Sequence, residues 1–265
     1  MAEVIPLVSH HGPAHRLRVL CFHSFRTSAA ILRRQLFEFS NVGTLLEEFC
    51  DLDFIDGAHE CDASDEAKME PVLKQFFKRP FFEWVNASQR ADGTREYAYL
   101  DASLRKIAQA VAQRGPYDGF LGFSQGGTMA HTCVLLAAHG QLRFAPPRFL
   151  LIFSARVSRH HEHVELMERE PRCPLRVPAL VVYNGDDDHV APDETRRLVA
   201  TLQPPPTEIC LAHERGHAIR RLSSGEAERF RAFFRSLPPP PPRSFVASLG
   251  MALQWLLTCM GCGDA

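Results

Sequence analysis

The chain alternates short apolar runs with longer segments in which apolar residues recur at helical spacing. Continuous apolar runs are typical of strands buried on both faces, and the second pattern predicts helices. The predicted strands cover residues 17–23, 50–59, 117–123, 148–156, 178–185 and 207–214. The predicted helices cover residues 29–49, 97–115, 125–139, 194–202 and 225–237. This alternation predicts an α/β fold, with a mainly parallel central sheet and helices on both faces.

A stretch of about 40 residues between the second predicted strand and the helix at 97–115 has mixed polarity and several aromatic residues. Long structureless loops are uncommon and are often functional lids. Phe81, Phe82 and Trp84 are candidates for the wall of an apolar acyl pocket, although aromatic residues at this spacing also occur in a core.

The two ends of the chain differ from the middle. Residues 1–16 read as a flexible tail, residues 17–237 as the domain and residues 238–243 as a proline-rich linker. Residues 244–265 form an apolar tail, for which three interpretations remain open: a helix docked on the domain, a membrane-associating segment or a disordered end. In the second case, Cys259 and Cys262 are candidates for acylation.

Composition excludes some functions. The 265 residues are 45% hydrophobic and 23% charged, with a formal net charge of −1. Such a chain carries no broad basic field for nucleic acid. The eight cysteines are scattered, and the N-terminus lacks the pattern of a secretory signal. A reducing, cytoplasmic location is therefore expected, with membrane association through residues 244–262 left open.

The main candidate for chemistry is Gly-Phe-Ser-Gln-Gly at residues 122–126, which matches the nucleophile elbow G-x-S-x-G. A predicted strand precedes this motif and a predicted helix follows it. Such a sharp turn places the Ser124 hydroxyl above the carboxyl edge of the sheet, and the flanking glycines remove Cβ atoms that would collide. The sequence therefore predicts that Ser124 is a nucleophile.

A serine nucleophile needs a base and an orienting carboxylate, which follow it in this order along the chain: serine, acid, histidine. The strand at 178–185 ends in three consecutive aspartates, residues 186–188, of which at most one is expected to point inward. His217, after the last predicted strand, is the candidate base, and His213 is its nearest rival.

Two backbone N–H groups are expected to stabilise the oxyanion. One belongs to Gln125 at the start of a helix, and the other to Phe25 in the loop after the first strand. His23 in the same loop is predicted to be structural and not a second base.

These stretches together resemble the FSH-type family of serine hydrolases, which belong to the α/β-hydrolases. The matching segments lie between residues 17 and 235, and the most specific of them is "GPYDGFLGFSQG". The resemblance implies a nucleophile at Ser124, a base at His217 and, counting G-x-x-D from Gly185, an acid at Asp188. The family usually has His-Gly after the first strand, where this chain has His23 and Ser24.

The resemblance implies a carboxylesterase-like hydrolase that cleaves a small-molecule ester and needs no metal and no organic cofactor. Two other functions are alternatives: a catalytically silent ligand-binding protein on the same fold, and a membrane-tethered interaction protein. The histidines of "SRHHEHVE" at 158–165 suggest a metal site, but a solvated loop near the rim is preferred. Acyl chain length and oligomeric state are not specified by the sequence.

Overall fold

The protein is described by a computed structural model that covers residues 16–69, 71–169 and 174–239. Residues Arg16–Ser236 form one compact unit. The proline-rich linker beyond residue 239, the apolar tail with Cys259 and Cys262, and residues 1–15 lie outside the described residues. Within the described ranges, no helix combines the length and the hydrophobicity that a membrane span needs.

The strands are β1 (Leu17–Phe22), β2 (Cys50–Ile55), β3 (His59–Glu60), β4 (Phe82–Glu83), β5 (Asn86–Gln89), β6 (Arg95–Ala98), β7 (Gly119–Phe123), β8 (Phe149–Phe153), β9 (Leu175–Arg176), β10 (Ala179–Asp186), β11 (Leu202–Gln203) and β12 (Thr207–Arg215). The helices are α1 (Ala29–Phe37), α2 (Val42–Glu47), α3 (Ala63–Ala67), α4 (Pro71–Phe76), α5 (Leu100–Arg114), α6 (Gln125–Ala138), α7 (His161–Glu168), α8 (Pro192–Val199) and α9 (Ser224–Ser236).

The main sheet has six strands in the order β12-β10-β8-β7-β1-β2, and all neighbouring pairs are parallel. Alternate residues of these strands face opposite sides. Phe120 and Ile152 belong to the core cluster that contains residues of α5 and α6. Phe149 contacts Phe233 of α9, with ring centroids 6.2 Å apart. The predicted fold class, a parallel sheet with helices on both faces, is therefore confirmed.

Several element predictions need correction. The single helix predicted at 29–49 is two helices, because the Ser40 hydroxyl donates to the Leu36 carbonyl and accepts the N–H of Val42. The loop of about 40 residues contains short strands and helices, including the antiparallel hairpin β5–β6. The segment at 158–165 is not a solvated loop, since His160 and His163 are buried and α7 begins at His161.

The parallel arrangement aligns the carboxyl ends of the central strands. Phe22 pairs with Gly122 across β1 and β7, and Phe123 pairs with Phe153 across β7 and β8. The loops that leave β1, β7, β8 and β10 therefore start at one edge of the sheet, where ligand sites of open α/β sheets are found.

Candidate active site

Ser124 stands at a sharp turn between β7 and α6. Its backbone has φ 55° and ψ −118°, and its N–H donates to the Phe153 carbonyl at 2.9 Å. A Cβ atom on Gly126 would lie 2.1 Å from the carbonyl oxygen of Phe22. A Cβ atom on Gly122 would lie 2.3 Å from the backbone of Gly126. The turn therefore needs glycine on both sides, because α6 starts in contact with the ends of β1 and β7.

His217 lies in the loop that follows β12. Its ring stacks on Phe123 with centroids 4.8 Å apart, and His189 stacks at 5.2 Å. The Asn184 side chain fixes the loop by donating to the carbonyls of Gly216 and Ala218, at 2.7 and 2.9 Å. The imidazole is therefore held against the residue that precedes Ser124.

Asp187 is the carboxylate that contacts this imidazole. His217 Nδ1 lies 2.9 Å from Asp187 Oδ2 and 3.1 Å from Oδ1. The carboxylate is buried and also accepts the backbone N–H groups of His189 and Val190. Burial acts to raise the pKa of Asp187, but the hydrogen bonds from His217 and the Val190 N–H outweigh it and lower the pKa below its ordinary value.

The expectation that Asp188 would be the partner of His217 is wrong. The Asp188 side chain is 69% exposed and accepts a hydrogen bond from His189 Nδ1 at 2.9 Å. The pairing of β10 with β12 shifts register between Asn184 and Asp186, so the strand end is irregular. Counting from Gly185 therefore did not identify the inward-facing aspartate. The expectation that at most one of residues 186–188 points inward agrees with the burial of Asp187.

The loop after β1 is organised by His23, which is fully buried. Its Nε2 accepts the N–H of Gly57 at 2.8 Å, so its Nδ1 carries the proton and donates to the Ser24 carbonyl at 2.7 Å. Burial lowers the pKa of His23 to about 4, so this ring is neutral at physiological pH. These contacts agree with the predicted structural role of His23.

Arg26 anchors the other end of this loop in a buried ion network. Its guanidinium contacts Glu83 at 3.2 Å, the Asp65 carboxylate at 3.2 Å and the Asp65 carbonyl at 2.7 Å. Asn86 Nδ2 donates to the second oxygen of Glu83 at 2.8 Å. Arg26 adopts the left-handed φ of 51° that the sharp bend after Phe25 requires. No local sequence pattern marks this network, because Asp65 and Glu83 lie 39 and 57 residues from Arg26 along the chain.

The three aromatic residues predicted to line an acyl pocket differ in burial and in the residues that they contact. Trp84 has no exposed surface and packs edge-on against Phe22 at 5.2 Å. Phe81 belongs to a separate buried cluster with Ile31 and Phe77. Both are core residues, so their assignment to a pocket wall is corrected. Phe82 is partly exposed and lies 6.4 Å from the His23 ring, and it stays a candidate.

Two histidines of the segment 158–165, His160 and His161, contact the hairpin β5–β6. Glu96 lies 3.2 Å from His160 Nε2 and 3.3 Å from His161 Nδ1. The Arg90 guanidinium contacts the same carboxylate at 3.0 Å, which places a positive charge where a cation would bind. We therefore assign these residues to the attachment of the hairpin and do not propose a metal site.

Comparisons with known proteins show the family of this chain. The family model described as "Serine hydrolase (FSH1)" matches residues 13–225. The human protein named "Esterase OVCA2" is 33% identical over 213 residues, covering 77% of this chain and 89% of that protein. The Caenorhabditis elegans protein "Esterase C25G4.2" is 26% identical over 223 residues, covering 83% and 93% respectively.

Solved structures resemble this fold at low sequence identity. Zea mays acyl-protein thioesterase 2 has a TM-score of 0.52 and 15% identity, over 83% of this chain and 95% of that one. A carboxylesterase from Mesorhizobium loti has a TM-score of 0.53 and 14% identity, over 83% and 89% respectively. At these identities the likeness supports the α/β-hydrolase fold alone.

Proposed function

The chain belongs to the FSH1 serine hydrolase family and is a hydrolase that acts on esters, and we propose that Ser124, His217 and Asp187 carry out the reaction. The observation that carries this proposal is the Asp187–His217 hydrogen bond, formed by an imidazole that stacks on the residue preceding Ser124. The proposed substrate is a small-molecule carboxylic ester, whose acyl chain length the esters tested below would define.

The contact with Asp187 determines which nitrogen of His217 acts as the base. An ionised carboxylate only accepts hydrogen bonds, so Nδ1 must carry the proton and Nε2 keeps its lone pair. Nε2 then takes the Ser124 hydroxyl proton, while Asp187 stabilises the imidazolium that forms. The lowered pKa of Asp187 keeps this carboxylate ionised when the base works.

The reaction proceeds through a covalent intermediate. Ser124 Oγ forms a bond to the ester carbonyl carbon, and the carbonyl electrons move to oxygen. The oxyanion accepts hydrogen bonds from the backbone N–H groups of Gln125 and Phe25. When the carbonyl reforms, the alkoxide leaves and takes the proton from His217. A water molecule then loses a proton to His217 and attacks the acyl carbon. When this second tetrahedral intermediate collapses, the bond to Ser124 Oγ breaks, Oγ takes the proton back from His217, and the carboxylic acid leaves.

The two oxyanion donors are proposed from their positions. Gln125 is the first residue of α6, and N–H groups in the first turn of a helix have no intrahelical acceptor. Phe25 lies in the loop that His23 and Arg26 fix on either side. The Cβ atom of Ser24, where the family usually has glycine, is accommodated, since Ser24 is not among the positive-φ residues of the described ranges.

A fluorophosphonate probe and a panel of p-nitrophenyl esters from acetyl to long acyl chains test this proposal. Wild-type protein should be labelled and should hydrolyse at least one ester, and Ser124→Ala should abolish both. A wild type that is folded but neither labelled nor active would favour the catalytically silent binding protein. Labelling that persists in Ser124→Ala would place the nucleophile elsewhere.

A further inference from the structure

The side-chain amide of Gln125 both accepts and donates hydrogen bonds to the backbone of a segment about 40 residues earlier in the chain. Its Oε1 accepts the N–H of Trp84 at 2.8 Å and lies 3.4 Å from the N–H of Val85. Its Nε2 donates to the Val85 carbonyl at 2.9 Å. The side-chain amide thus uses its donor and its acceptor on the same short segment, Phe82–Val85, which we call the strap.

The strap is also hydrogen-bonded to the loop after β1. The Trp84 indole N–H donates to the His23 carbonyl at 2.9 Å, and the Phe82 N–H donates to the Thr27 carbonyl at 2.6 Å. The Ser103 hydroxyl of α5 donates to the Trp84 carbonyl at 2.5 Å, which ties the strap to the body of the domain. Trp84 is fully buried, and its hydrogen bonds to the His23 carbonyl and the Ser103 hydroxyl are shielded from water.

The two proposed oxyanion donors lie on the two elements that the strap connects. Phe25 lies between His23 and Thr27, both of which are bonded to the strap, and Gln125 is bonded to it by its own side chain. An oxyanion hole works only when both donors point at one oxygen atom, so the distance between the two elements matters for the transition state.

We propose that the Gln125 side chain and the Trp84 indole are positioning residues that fix the separation of the two oxyanion donors. This inference rests on the proposed function. Each side chain is hydrogen-bonded within the protein, and we infer that its effect acts through the backbone N–H groups of Gln125 and Phe25. Disturbing the strap should therefore weaken binding of the transition state more than binding of the substrate.

Two variants test the proposal, of which the first keeps the side-chain volume nearly unchanged and the second places a smaller ring at a buried position. Gln125→Met removes the amide pair but keeps the backbone N–H of residue 125. Trp84→Phe keeps an aromatic ring but removes the donor to the His23 carbonyl. Loss of one oxyanion donor typically lowers the rate about 100- to 1,000-fold, and a displaced donor should lower kcat by a smaller factor, about 10- to 100-fold.

A matched control is present elsewhere in the chain. Asn41 at the start of α2 makes the same kind of pair, donating to the Leu222 carbonyl at 2.9 Å and accepting the Leu222 N–H at 2.8 Å. This pair involves neither the strap nor the loop after β1. Asn41→Leu should therefore lower the unfolding midpoint about as much as Gln125→Met, while kcat stays within about twofold of wild type.

The measurements are kcat, KM, the thermal midpoint and the inhibition constant of a trifluoromethyl ketone, which mimics the tetrahedral intermediate. We expect kcat and affinity for the ketone to fall together in Gln125→Met and Trp84→Phe, with KM nearly unchanged. Equal kcat losses in Gln125→Met and Asn41→Leu, or losses confined to KM, would overturn the positioning role alone. A wild type without esterase activity would overturn the proposed function, and this inference with it.

Discussion

Asp187 and Asp188 are neighbours in the chain, but only Asp187 contacts the His217 imidazole. Asp187→Asn should lower kcat by about 10⁴-fold, because an amide stabilises neither the required tautomer nor the imidazolium. Asp188→Asn, on the exposed residue, should change kcat by less than about threefold, since a surface hydrogen bond contributes little. Steady-state hydrolysis of a p-nitrophenyl ester measures both. If Asp188→Asn lowered kcat more than Asp187→Asn does, the acid of the triad would be Asp188.

Gly126 is the glycine whose replacement the elbow tolerates least. Gly126→Ala places a Cβ atom 2.1 Å from the Phe22 carbonyl oxygen, so α6 or the end of β1 must shift. We expect a loss of about 1–3 kcal/mol in the free energy of unfolding and, since the nucleophile moves, a loss of activity of about 100-fold.

The control is Gly225→Ala in α9, where a Cβ atom would meet nothing within 4 Å. This substitution should raise stability by about 0.4–1 kcal/mol through the entropy of the unfolded chain and leave activity unchanged. Chemical denaturation and ester hydrolysis are measured on both variants. If Gly126→Ala were as stable and active as wild type, the packing at the elbow would have to be looser than the structure shows.

Glu83 is the fully buried partner of Arg26 in the ion network that anchors the loop after β1. Glu83→Ala leaves the guanidinium in a dry environment without this charge partner, and should lower the free energy of unfolding by about 3–5 kcal/mol. The exposed pair Arg231–Glu48 is the comparison, and Glu48→Ala should cost at most about 1 kcal/mol. If the two variants lost similar amounts of unfolding free energy, the buried network would not stabilise the fold more than an exposed ion pair does.

Three buried histidines make the stability of the fold sensitive to acid. Burial lowers the pKa of His23, His131 and His163 to about 4 in the folded protein, from about 6.5 in an unfolded chain. Between these values the unfolded chain binds more protons, so stability rises with pH and is lost as the pH falls from about 6.5 towards 4. Each histidine should contribute about 2 kcal/mol of this loss at pH 5.

His131→Leu tests this origin. The variant loses the bond to Thr201 at 2.8 Å, but its unfolding free energy should fall less between pH 7 and pH 5 than that of wild type, by about 2 kcal/mol. Cys133→Ala on the same helix is the control, since burial raises the pKa of this thiol to about 12 and it does not titrate in this range. An identical pH dependence in wild type and His131→Leu would refute the assignment.

The parts of the site that depend on local sequence were predictable. The strand, the glycines and the helix around Ser124 lie within about 20 residues, and their pattern alone predicts the sharp turn. His217 was placed by its position after the last strand. These features depend on chain order and backbone sterics, which the sequence displays directly.

The parts that depend on contacts between distant segments were not predictable. Selection of Asp187 depends on how the end of β10 bends beside β12, and three identical residues carry no signal for it. The assignment of Trp84 to a pocket failed because its partners, His23 and Gln125, lie 61 and 41 residues away. A continuous helix was predicted at 29–49 because the apolar residues keep a helical spacing throughout. This spacing carries no information about the two hydrogen bonds of Ser40, which lie at the break between α1 and α2.

The stretch between β2 and α5 is fixed to the rest of the domain, because its residues 82–85 form hydrogen bonds with His23, Thr27, Ser103 and Gln125. It is therefore unsuited to exchange as a cassette when enzymes of this fold are recombined to alter substrate preference. A chimera that imports the stretch must also import the four anchoring partners, or choose a donor in which they are identical. Engineering of selectivity should instead begin with exposed side chains that leave those anchors intact.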